Sequence, residues 1–178
     1  MIKATDGNGN VTTYTYDVLN RKVTETNPLN QTTTFTYDNL DNLATETNYL
    51  GNTTTYVYNE LSRLEEKTDA YGNRIEKLEY DNNGRQTKSI DAFDYEIVYT
   101  YDSTDNILTK EDQEGNVESF EYDLLGNKTK YWDKNNNLTK YSYDYMGNLI
   151  SVQNANNETT TYTYDDAGNM LTQKDPRK

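Results

Sequence analysis

The chain has 178 residues, with 17 Lys and Arg against 30 Asp and Glu, and its net charge of −13 leaves no basic stripe for nucleic acid. It contains no His and no Cys, which removes the commonest general base and metal ligand and excludes disulfides and thiolate metal sites. Leu, Ile, Val and Phe supply only 30 residues, a share typical of disordered chains, so folding depends on where the 18 Tyr rings sit.

No 18-residue apolar span is present, so no membrane span is expected, and Met1–Asp6 does not read as a signal peptide. The start within a repeat suggests a segment of something longer, with any export signal outside this chain.

In chain order, Tyr-Asp steps fall at Tyr16-Asp17, Tyr37-Asp38, Tyr80-Asp81, Tyr101-Asp102, Tyr122-Asp123, Tyr143-Asp144 and Tyr164-Asp165, with Tyr58-Asn59 as the variant. Successive anchors lie 21 residues apart, except for one interval of 22 between Tyr58 and Tyr80. Residues 1–178 therefore read as a single array of eight units. Two residues before each anchor stand Tyr14, Phe35, Tyr56, Leu78, Tyr99, Phe120, Tyr141 and Tyr162. A spacing of two is the strand period, so each unit turns two rings to one face and Thr, Ser or Glu to the other.

Two turn columns bracket the strands. The first opens at the anchor Asp and holds Asn20, Asp41, Ser62, Gly84, Asp105, Gly126, Gly147 and Gly168 three residues on. The second opens at Asn27, Asn48, Asp69, Asp91, Asp112, Asp133, Asn154 and Asp175; Asn30, Gly51, Gly72, Asp94, Gly115, Asn136 and Asn157 follow three residues later, and Gly9 holds this place in the preceding unit. These residue types tolerate a left-handed backbone, and an opening Asx bonds back to its own turn. Each turn reads as a loop of about four residues built on a type I turn, with Pro28 and Pro176 harmless just inside the second column.

About sixteen short strands result, and the pattern predicts an all-β fold of tandem antiparallel hairpins in a curled or spiralling sheet. In the second strand of each unit the apolar residues are adjacent, as in Leu149-Ile150, so the buried face stays open. The additional residue of the 22-residue interval predicts a β-bulge within 73–79. A β-solenoid, with Tyr16, Tyr37 and Tyr58 stacked in parallel, is the alternative.

The unit Tyr143-Asp144-Tyr145-Met146-Gly147-Asn148-Leu149, with its Asp-x-x-Gly-Asn counterpart, resembles the YD repeat of Rhs proteins, also found in wall-associated proteins, insecticidal toxin complexes and teneurins. The resemblance covers nearly the whole chain. It implies a hairpin strip that spirals into a hollow shell in long members and, in bacterial ones, encloses a C-terminal toxin domain. Repeats of this type have also been proposed to bind carbohydrate at cell surfaces. No shell-closing region, autoproteolytic aspartate motif or toxin domain is visible here, so encapsulation belongs to the parent protein.

No catalytic residue, cofactor or metal is expected. An Asp repeated at every turn reads as a turn opener, whereas catalysis needs one special pair in one pocket. Asp6–Asn10 opens like a calcium loop but has Val11 where the EF-hand needs Gly and Asp17 where it needs Glu. Asn52-Thr53-Thr54 matches a glycosylation acceptor by composition alone. The Tyr columns read as core, and Trp132, the single Trp, is the candidate ligand contact. The leading expectation is a scaffold segment of a secreted or cell-surface bacterial protein, partnered by neighbouring repeats and the toxin domain of its parent. The alternative is a carbohydrate-binding or adhesion module with exposed rings.

Overall fold

The computed structural model describes residues 1–176, which form seventeen β-strands and no helix. The chain divides into two compact units, Met1–Glu79 with Ser89–Asp94, and Tyr80–Lys88 with Tyr95 onward. The first unit contains β1 (Ile2–Thr5), β2 (Val11–Tyr16), β3 (Lys22–Thr26), β4 (Thr32–Tyr37), β5 (Leu43–Thr47), β6 (Thr53–Tyr58) and β7 (Leu64–Thr68). The second contains β10 (Glu96–Tyr101), β11 (Ile107–Asp112), β12 (Val117–Tyr122), β13 (Lys128–Trp132), β14 (Leu138–Tyr143), β15 (Leu149–Gln153), β16 (Thr159–Tyr164) and β17 (Met170–Lys174). The residues of β8 (Arg74–Tyr80) and β9 (Gln86–Asp91) are divided between the two units.

Strands pair antiparallel with their chain neighbours, as in Tyr14↔Glu25 between β2 and β3 and Glu25↔Thr33 between β3 and β4. Tyr16 lies opposite Lys22, on the strand that follows its own turn. This is the hairpin arrangement, and it excludes the β-solenoid.

The reversals come from the two turn columns. Sixteen non-Gly and Gly residues have φ between 59° and 90°, and all of them fall in those columns. In the first such turn Asp17 N donates to Arg21 O at 3.0 Å and Asn20 N donates to Asp17 O at 3.1 Å. The loop is therefore three residues, 18–20, the last of them left-handed, one shorter than the sequence suggested, because Arg21, just after the left-handed Asn20, already pairs back. The turn opened by Asp175 runs into 177 and 178, which lie outside the described residues.

At Gly147, φ is 84° and nothing lies within 4 Å of an added Cβ, so a side chain there meets only backbone strain. Gly147→Val is expected to cost about 1–2 kcal/mol in urea unfolding. Asn136→Gly, at φ 61°, should change stability by only a few tenths of a kcal/mol. Equal midpoints for the two variants would contradict this account of the turns.

The bulge expected in 73–79 is present. Glu66↔Lys77 and Lys67↔Glu76 are followed by Thr68↔Arg74, leaving Ile75 as the additional residue. The same device recurs where no change in repeat length marks it. Thr15↔Thr24 is followed by Tyr16↔Lys22, which leaves Val23 over; Ser142↔Ser151 is followed by Tyr143↔Leu149, which leaves Ile150 over. Equivalent shifts sit opposite Tyr37, Tyr58, Tyr101, Tyr122 and Tyr164. Adjacent apolar residues in the second strand thus mark a bulge, not an ambiguous face. The bulge also brings Lys22 and Glu25, three apart, to one face, where they form a 2.7 Å ion pair.

The rings do not make a closed core. Among the described residues Ile90, at 7% exposure, is the one apolar side chain that is buried. The ladder rings are mostly half-buried, and several lie against cations. Lys22 Nζ sits 4.2 Å from the Phe35 centroid, and Arg21 Cζ lies 4.7 Å from that of Tyr37. Lys128 Nζ lies within 5.7 Å of the Phe120, Tyr131 and Tyr141 rings, and Phe120 stacks on Tyr131 at 5.3 Å. The expectation that the Tyr columns form the core is therefore corrected to a half-buried aromatic face interleaved with lysine and arginine stems.

The opposite face of β3 to β6 is lined mainly by threonine. Thr24↔Thr34, Thr26↔Thr32, Thr45↔Thr55 and Thr47↔Thr53 stand directly across from one another. Hydroxyl pairs close at 2.8 Å between Thr26 and Thr32 and between Thr47 and Thr53. Each such pair stabilises its strand contact by roughly 0.2–1 kcal/mol.

Candidate functional site

Three sets of residues are candidates: the turn carboxylates, the anchor tyrosines and the surroundings of Trp132. Each turn carboxylate points into its own turn. Asp17 Oδ1 accepts from Leu19 N and Arg21 N, both at 2.9 Å, while Oδ2 takes the Arg21 guanidinium at 2.7 Å. Asp38, Asp123, Asp144 and Asp165 repeat this with an Asn carboxamide in place of the guanidinium. Asp81 uses Arg85, and Asp6 is occupied in the same way by Asn8 and Asn10. Asn59 makes the same two backbone contacts with a neutral amide oxygen, at 3.0 and 3.1 Å. The geometry therefore requires an acceptor at that place, and a charge is not essential to it.

These bonds favour the ionised form. The Asn106 carboxamide, followed by backbone N–H groups and the Thr104 hydroxyl, holds Asp102 down at about 2. Asp112 lies well below the usual carboxylate range, chiefly because Lys134 Nζ approaches at 2.6 Å and Asn116 also binds it. Its side chain is only 3% exposed, so Lys134 is what makes its charge tolerable there.

The anchor tyrosines tie one hairpin to the one before it. Tyr37 Oη donates to Lys22 O at 2.8 Å, Tyr101 Oη to Gln86 O at 2.6 Å, Tyr143 Oη to Lys128 O at 2.9 Å and Tyr164 Oη to Leu149 O at 2.9 Å. In the pairs where the register is resolved, the acceptor is the residue opposite the preceding anchor, beside the bulge. The hydroxyl thus binds the carbonyl of the residue that stands next to the bulged one.

A second tie was missed from the sequence. Arg21 reaches Asp41 at 2.5 Å and Arg85 reaches Asp105 at 3.1 Å, each twenty residues ahead. Arg74 and Asp94 pair in the same way. The available signal was the first-turn column just after the left-handed position, where Arg21 and Arg85 have Asp41 and Asp105 twenty residues on, whereas Arg63 has Asn83 there and Asn106 and Asn148 have Gly126 and Gly168.

Trp132 lies on the threonine side of its sheet, opposite Ser119 and Leu138. It is half-buried, with Lys130 Nζ 5.6 Å from its ring. Tyr131, its neighbour, faces the aromatic side, where it donates to Glu118; that bond raises its hydroxyl to about 12. The described residues contain no helix long and apolar enough to cross a membrane.

Repeated hairpins, turns that consume their own carboxylates, and ties from four anchor tyrosines to the preceding hairpin define a structural repeat scaffold. Residues 1–32, 37–74 and 143–178 match the RHS repeat family, more than half of the chain, and the chain belongs to that family. No curated protein matches it in sequence. Among solved structures it is similar to TcdB2-TccC3, at 15% identity and a TM-score of 0.37 over 97% of this chain and 15% of that one. It is also similar to TcdB2-TccC3 without its hypervariable C-terminal region, at 15% identity, a TM-score of 0.36 and 97% and 14% coverage. The Tc holotoxin pore of Photorhabdus luminescens gives 14% identity, a TM-score of 0.36 and the same coverage. The chain spans only 14–15% of the length of these solved chains.

Proposed function

We propose that this RHS-type scaffold is a segment of a secreted or cell-surface bacterial protein whose long form builds a shell around a toxin domain. The observation that carries this reading is the tyrosine tie onto the carbonyl beside the preceding hairpin's bulge, which makes one unit a template for the next. Exposed apolar turn tips, among them Val18, Phe93, Leu124 and Tyr145, support it as surface available to further parts of an assembly. Its partners are then neighbouring repeats and the toxin domain, and the segment itself performs no catalysis. The test is limited proteolysis of the full-length secreted protein. A C-terminal domain that resists protease until the repeats are unfolded is expected; one cut freely in the native protein would overturn the reading.

A second reading is favoured by one observation. The ladder rings lie on the aromatic face, whereas Trp132 stands on the threonine face opposite Ser119 and Leu138, where an aromatic surface can stack on a sugar ring. Carbohydrate binding therefore falls to Trp132 and not to the tyrosines. Retention on cell-wall glycans that Trp132→Ala abolishes is the expected result, and silence across such glycans counts against it.

A further inference from the structure

We infer that Leu29, Leu50, Tyr71 and Phe93 form a docking row for a second copy of this chain, the two rows lying antiparallel against each other. This goes beyond the scaffold reading, because it concerns a contact between copies and not the fold of one.

The row follows from the period. Each of the four stands two residues after the Asx that opens a second-column turn, at Asn27, Asn48, Asp69 and Asp91, and so lies at the tip of its hairpin. All four tips belong to consecutive hairpins of the first compact unit. Neighbouring tips at one end of the strands are two strands apart, about 9.5 Å, so the row runs for roughly 29 Å. Its residues are 76, 68, 86 and 90% exposed in chain order.

The turn itself does not ask for these side chains. The same column carries Asn8 before the row and Glu114, Asn135 and Asn156 after it. Those turns close with the same backbone bond, from Gly9 N to Asp6 O, Gly115 N to Asp112 O, Asn136 N to Asp133 O and Asn157 N to Asn154 O. Single exposed apolar residues are ordinary on a surface, but four successive ones in register make a patch that calls for a cover.

Charge and area favour a second copy as that cover. At −13 the chain repels its own kind, so copies can meet only along a neutral strip. Residues 28–30, 49–51 and 70–72 carry no charge, Asp69 and Asp91 accept from N–H groups of their own turns, and Asp94 is paired with Arg74. Leu19, Leu40 and Leu61 are exposed at the other end of the strands, but there Glu60 adjoins Leu61 and the Arg21–Asp41 ion pair lies between the first two tips. With two large rings and two leucines, the row offers on the order of 600 Å² to a partner. Two such rows together reach about 1,200 Å², the lower end of specific interfaces.

Side-chain size sets the direction. Leucines occupy one end of the row and aromatic rings the other. A twofold axis near the middle lays the rings of each copy along the leucines of its partner, large against small. A hollow of about 280 Å³ lined by Asn48, Asn52, Ala70 and Tyr71 lies between the second and third tips, next to that axis, where it can admit an incoming side chain.

The test is sedimentation equilibrium of the chain from about 1 to 200 µM. A monomer–dimer equilibrium with half-association at about 10–100 µM is expected, tightened by salt because screening weakens the repulsion between acidic copies. Phe93→Glu should weaken it about tenfold, and the triple variant Leu50→Asn, Tyr71→Asn and Phe93→Glu should abolish it, with the melting temperature of the dilute chain unchanged. Leu40→Asn, at the other end of the strands, should leave it as it is. Direction is read by oxidation, since the chain has no Cys. Leu29→Cys mixed with Phe93→Cys should give a disulfide-linked pair, whereas Phe93→Cys alone should not, its two copies lying roughly 25–30 Å apart. A parent that stays monomeric to about 200 µM, or a dimer that survives the triple variant, would overturn the docking row. Self-linking of Phe93→Cys would overturn the antiparallel arrangement.

Discussion

The melting temperature of this chain is expected to hold steady from neutral pH down to about pH 5 and to fall steeply between about pH 4 and pH 2. Eleven turn-opening carboxylates among the described residues, from Asp6 to Asp165, are held below their ordinary value of 3.8. A group whose folded value is depressed contributes stability that is fully present above its unfolded value and disappears as pH falls through the folded one. Every one of the eleven has the same sign, so their proton uptake on unfolding adds. Their window opens just below 3.8 and extends to about 2, where Asp102 titrates. Protonation weakens the acceptor that receives two backbone N–H groups and one side chain in each turn. Asx substitution provides the internal check, since Asn59 shows that an amide makes the same backbone contacts. Replacing several turn Asp residues by Asn should flatten the acid limb while leaving the fold intact. A melting temperature unchanged at about pH 2.5 would remove the turn carboxylates from the account of stability.

The second large effect concerns a single anchor. Tyr143→Phe is expected to destabilise by about 1 kcal/mol, because Lys128 O loses the donor that binds it beside the bulge. Tyr143→Ala should cost roughly 2–3 kcal/mol, since the half-buried ring and its contact with neighbouring side chains go as well. The same change at Tyr16, which is 36% exposed and lies in the first unit of the array, should cost less. Urea unfolding of the three variants measures this directly. If Tyr143→Phe is as stable as the parent, the hydroxyl tie contributes nothing; if Tyr143→Ala matches Tyr16→Ala, position in the array does not matter.

The conserved features of each unit have unequal legibility, and the reason is distance along the chain. Turns are local, so Asx at the opening and Gly, Asn, Asp or Ser three residues later specified all sixteen left-handed positions from residue type alone. Strand polarity is local too: rings at a spacing of two predicted one aromatic face, which the register Tyr14↔Glu25 and Thr13↔Thr26 places opposite a threonine face. The single bulge at Ile75 was legible because an additional residue lengthened its repeat. The seven bulges opposite the anchors left no such trace, being built into the 21-residue period itself.

The amino-acid sequence by itself determined the hairpin period, the turn positions and the RHS-type character of this protein. Tertiary structure alone decided what the Tyr-Asp step does across units. Tyr143 finds Lys128 fifteen residues back, and Arg85 finds Asp105 twenty residues ahead; neither spacing is a strand or turn period. Only pairing of the strands brings such residues within hydrogen-bonding range. The residues around Trp132 follow the same rule. Lys130 and Lys140 are ten residues apart, and it is the antiparallel register of β13 and β14 that sets them face to face.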